Sequence, residues 1–96
     1  MNPFFEALGQ DWVDAAHRRR ATIAKPELDS RVALELLELA RVAAHTQERR
    51  FAPLTCFMAG VAAERLRVAK ADVDDGGVAE FIQEVRQKLE REIPGL

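Results

Sequence analysis

The chain has 96 residues, 48 % of them hydrophobic and 31 % charged, with 14 Lys plus Arg against 16 Asp plus Glu. That length suits one domain spanning residues 1–96 that buries roughly 60–70 % of its unfolded surface, and the composition is far from that of a disordered chain. A net charge of −2 argues against a dedicated nucleic-acid binder, and a single cysteine, Cys56, excludes an intrachain disulfide and fits a reducing cytoplasm.

The opening segment, MNPFFEALGQDWVDAAHRRR, places its acids early and its arginines late. A secretory signal has the opposite order, and no apolar run approaches the ~20 residues that span a bilayer, so no membrane partner is expected. The segment predicts a first helix over about residues 3–19. Asn2 is its cap, and Pro3 suits the first turn, where an N–H would go unpaired anyway. Phe5, Leu8, Trp12 and Ala15 or Ala16 make one apolar stripe, with Gly9 as a weak point. The cluster His17-Arg18-Arg19-Arg20 sits where the helix dipole favours cations. Pro26 then breaks the connector, and Ile23 and Leu28 are expected to pin it to the core.

A second helix is predicted over about residues 30–45, capped by Asp29 or Ser30. It is apolar nearly all round, and Arg31, Glu35, Glu38 and Arg41 share one narrow stripe. Such a helix belongs at the centre of a bundle, showing water only that stripe. The third helix is predicted from Pro53 to Val68, with Leu54, Phe57, Met58, Val61, Ala62 and Leu66 as its core face. Gly60 costs about 1 kcal/mol there relative to alanine, which a closely packed neighbour would offset. The fourth is predicted from Val78 to Ile93, with Val78, Phe81, Ile82, Val85, Leu89 and Ile93 on one face and Pro94-Gly95 as its stop. No strand signal competes. The expected fold is all-α: a compact, four-helix, bundle-like domain around a central second helix.

Chemical motifs are sparse. In ERRFAPLT, Arg49 and Arg50 precede a helix start whose free N–H groups, together with Thr55, could hold a phosphate or carboxylate. No glycine-rich approach accompanies them, so plain packing is the stronger reading. DVDDGG resembles the start of a calcium loop, but Gly76 and Gln83 stand where ligands belong, and helix capping explains its acids. His17 and His45 have no ligand-spaced partners and Cys56 has no second thiol, so no metal and no cofactor are expected. No catalytic residue stands out among the sixteen acids. Three neighbours barely cover the second helix, which points to a homodimer or a partner, with Phe81, Val85 and Leu89 as interface candidates.

One stretch, LLELARVAAHTQERRFAPLTCFMAGVAAERL, resembles a small actinobacterial domain of unknown function. The match rests on Trp12, Leu36 through Arg41, Ala44-His45, Arg49-Arg50, Ala52 through Thr55, and Ala59-Gly60. The family often has a proline after the arginine, where this chain has Phe51, and often ends soon after the third helix. The resemblance implies an association with the guanylyltransferase that finishes the molybdenum cofactor, and carries over no catalytic residue. The leading expectation is a non-enzymatic accessory or protein-interaction domain linked to molybdenum cofactor biosynthesis. The alternative is a small phosphate- or nucleotide-binding protein using Arg49, Arg50 and Thr55. An enzyme with an acid pair ranks last.

Overall fold

The computed structural model describes residues 2–92. It contains four helices and, among these residues, no strand: α1 (Pro3–Arg18), α2 (Ser30–Thr46), α3 (Phe51–Ala69) and α4 (Asp75–Arg91). This is the all-α, four-helix architecture that the sequence predicts. The predicted end of α4, at Ile93 and Pro94-Gly95, lies outside the described residues.

Local chemistry accounts for most boundaries. The Asn2 side chain accepts from the N–H of Phe4 at 2.8 Å, and Asp29 accepts from Arg31 and Val32 at 3.0 and 3.1 Å. Asp74 accepts from Gly77 at 2.8 Å, so the acids of DVDDGG do act as a helix cap. That cap starts α4 at Asp75 rather than Val78 and takes both glycines into the first turn. Likewise α3 starts two residues before Pro53, which occupies its third position, where proline forfeits no intrahelical bond. The first helix closes with Arg20 at φ 62°, in the left-handed region. Ala21 N–H donates to Ala16 O and Arg20 N–H to His17 O, both at 2.9 Å, a Schellman closure on a residue other than glycine.

The second helix is central, as predicted, and packs against both α3 and α4. Leu39, Val42, Ala43, Ala63, Val78, Ala79 and Ile82 are buried, and Val32, Leu36, Ala59, Val73 and Leu89 pack around them. Its covering is less complete than expected: Leu34 and Leu37 are 64 % and 68 % exposed, while Glu35 is drawn inward. Arg86 on α4 donates to Glu35 at 3.2 Å and to Glu90 at 3.0 Å, and Arg41 reaches Glu90 at 3.5 Å. This half-buried ion network seals one flank of the α2–α4 seam. The expectation that all four charges of the α2 stripe face water fails at Glu35, because a cation on another helix offers it a partner.

The third helix turns the other way from the sequence expectation. Leu54, Phe57 and Met58, predicted as core, are 62 %, 73 % and 71 % exposed. The face turned to α2 is the small one, from Ala52 and Cys56 through Ala59 to Ala63. The Cys56 thiol donates to the carbonyl of Leu36 at 3.7 Å, a contact that only small side chains permit. Burial pushes that thiol's pKa up, which suits a packing role better than a reactive one. Gly60 does not admit a close neighbour: a Cβ there would meet nothing within 4 Å.

The first helix packs on none of the others; among the described residues, no Cα of α1 lies within 8 Å of another helix. It is held instead by its own connector. Gly9 is buried under the Pro26 carbonyl, and Lys25 pairs with Glu6 at 2.5 Å. Of the two expected connector pins, Leu28 is half-buried and Ile23 is 42 % exposed.

Candidate functional site

The predicted anion-binding residues do not converge. Arg50 is the N-cap of α3, has no side-chain capping bond, and points its guanidinium at Glu48 at 2.6 Å. Arg49 is exposed beside it. Thr55 lies on another side of the helix, in the wall of an apolar groove. Among the described residues, no group of three His, Cys, Asp or Glu side chains could hold a metal ion. Among the same residues, no helix is long and apolar enough to cross a membrane.

A charged cleft of about 730 Å³ lies between the connector and the facing ends of α3 and α4. All of its charged groups except Glu27 already have partners. Lys25 holds Glu6, Asp29 caps α2, and Arg67 bridges Glu64 at 2.9 Å and Asp75 at 2.8 Å. The cleft is therefore a seam tied by its own ion pairs.

The apolar groove is the more distinctive feature. It holds about 300 Å³ between α3 and α4, which diverge from their short connection and meet only marginally. Thr55, Met58, Ala59 and Ala62 form one wall, Phe81, Val85 and Leu89 the other, and Leu39 and Ile82 the floor. Thr55 and Leu89 mark one end and Ala62 and Ile82 the other, the pairing expected of antiparallel helices. The three interface candidates thus share one wall, reached by α4's regular spacing of four residues.

The groove does not stop at α3. Met58 and Ala62 belong both to it and to a neighbouring depression lined by Phe57, Val61 and Arg65. Leu54 extends the same surface. Phe57, Met58 and Leu54 are large, apolar and mostly bare, along a helix that is apolar nearly all round. Scattered exposed leucines are ordinary on a protein surface, whereas these side chains form a contiguous apolar groove and ridge.

Sequence reasoning reached the α4 wall but assigned the α3 ridge to the core. The signal was present in the weak amphipathicity of α3: a helix with apolar residues on every side has two faces to cover, and α2 covers one. No curated protein and no solved structure matches this chain. A family model does, over residues 6–94, which takes in all of α2, α3 and α4 and most of α1. The chain belongs to the family described as a domain of unknown function, DUF6457.

Proposed function

We propose that this chain is a non-enzymatic protein-interaction domain that docks through the ridge of α3 and serves as an accessory to an enzyme of molybdenum cofactor assembly. The observation that carries the reading is the exposure of Leu54, Phe57 and Met58 beside an apolar groove. The most deeply placed charges support it from the other side. Arg86, Glu35 and Glu90 are engaged with one another across α2 and α4, as a structural clamp would be. The choice of partner rests on what the resemblance of the stretch from Leu36 to Leu66 implies, an association with the guanylyltransferase that completes the cofactor.

The test is direct binding of the purified domain to that guanylyltransferase by titration calorimetry, with Phe57→Glu as the control variant. Binding that Phe57→Glu abolishes, with helicity unchanged, supports both parts. No binding by the wild type at high micromolar concentration removes the cofactor link. Binding that Phe57→Glu leaves intact removes the α3 ridge as the docking face.

A further inference from the structure

Two apolar surfaces in this molecule lack a partner, and they match each other. One is the α3–α4 groove. The other is α1, which carries Phe4, Phe5, Leu8 and Trp12 at 65 %, 40 %, 37 % and 57 % exposure. We propose that the groove receives α1 from a second copy of this chain, in a reciprocal two-fold exchange. The proposal rests on the reading of this face as a docking surface and names the occupant of its groove.

Two observations favour a second copy. First, α1 is committed to its own connector: Gly9 lies against the Pro26 carbonyl, Glu6 pairs with Lys25, and the Arg20 turn closes the hairpin. Reaching its own groove would break all three, whereas reaching a neighbour's groove keeps them. Second, the areas suffice. Aromatic side chains bury about 150–250 Å² each when covered, so the remaining exposure of the three aromatics supplies on the order of 300 Å² per arm. An interface covers similar areas on its two sides, so two arms and the faces that receive them, the groove together with the exposed Met58 on its wall, approach about 1,200 Å², above the ~1,000 Å² that a specific interface needs. A two-fold exchange also closes on itself, leaving no free arm or groove.

The test uses the full chain and its only tryptophan, Trp12. Sedimentation should give a dimer at micromolar concentration, with Trp12 emission shifting to the blue as concentration rises. Trp12→Glu spoils the arm and Val85→Glu spoils the groove; each should weaken self-association by at least about tenfold, the effect of losing one interface anchor. Trp12 is 57 % and Val85 48 % exposed, so circular dichroism should show intact helices in both variants. Mixing the two variants restores one intact arm in one intact groove, and a heterodimer should reappear. A wild type that stays monomeric with constant Trp12 emission overturns the proposal. So does a dimer that persists in Trp12→Glu, or a mixture that stays monomeric. None of these outcomes bears on the α3 ridge, which Phe57→Glu reads separately.

Discussion

Replacing glycine by alanine should have opposite effects in two helices of this chain, and the contrast tests the packing directly. Gly60 lies inside α3, exposed, with nothing within 4 Å of an added Cβ. The substitution there should realise the full difference in helix propensity, about 0.8–1.0 kcal/mol of added stability. For a domain of this size that corresponds to a rise of about 4–8 °C in melting temperature. Gly9 lies inside α1, where an added Cβ would stand 2.7 Å from the Pro26 carbonyl oxygen and 3.2 Å from Lys25 Cγ. A backbone oxygen cannot yield as a side-chain tip can, so the connector must lift away from α1. Alanine at position 9 should therefore release the arm, visible as faster amide exchange over residues 20–27, while the α2–α4 core keeps its midpoint. Urea and thermal unfolding followed by far-ultraviolet circular dichroism read the first variant; exchange mass spectrometry reads the second. A loss of stability in Gly60→Ala would mean that a neighbour packs against α3 there, and the reasoning would fail.

The clamp between α2 and α4 should be measurable: Glu35→Ala, which leaves Arg86 half-buried with Glu90 alone, should cost about 1–2 kcal/mol, between the exposed and buried extremes for ion pairs. Urea midpoints check this, and a change below about 0.3 kcal/mol would reduce the network to surface decoration. Arg20→Gly should stabilise the α1 hairpin by about 0.5–1 kcal/mol by relieving a left-handed backbone, read as slower exchange at Ala21. Acid should loosen the arm. The hydrogen bond and charge of Lys25 hold the Glu6 carboxyl below its ordinary pKa. A depressed folded pKa gives a contribution that is complete above the ordinary carboxylate range and fades as pH falls through the lowered value. Trp12 anisotropy should drop in that acid window in the wild type, and Glu6→Gln should already be loose at pH 7.

Much of this fold is legible in the sequence because capping and periodicity are local. Asn2, Asp29 and Asp74 announce three helix starts by side-chain chemistry alone, and the four- and seven-residue steps between Val78, Ile82 and Leu89 identify the buried face of α4. The third helix resists because its apolar residues point everywhere. Size suggests that Leu54 and Phe57 face inward, but the width of the α2 surface decides the matter, and it admits Ala59 and Ala63. The same limit hides the partner of Glu35, which is 51 residues away in the chain. The α1 stripe was readable as a face wanting cover. Nothing in a single helix's pattern tells which surface provides it. For the candidate site, Phe81, Val85 and Leu89 follow from α4's periodicity, while the opposite wall depends on how far α3 and α4 diverge.

The isolation of α1 has a consequence for how this protein comes apart. A helix with no Cα within 8 Å of another helix is not obliged to melt with them. In a single copy, the arm can open by parting Gly9 from Pro26 and Glu6 from Lys25, leaving Leu39, Val78 and Ile82 undisturbed. The chain's one tryptophan sits on that arm, so its emission reports the arm's opening, whereas helicity reports mostly the three packed helices. The two melting curves should then separate, and the all-or-none description that suits most domains of this length would not apply. Where the arm is seated in a neighbour, the curves should merge, and the distance between them becomes a direct gauge of how strongly arm and core are coupled.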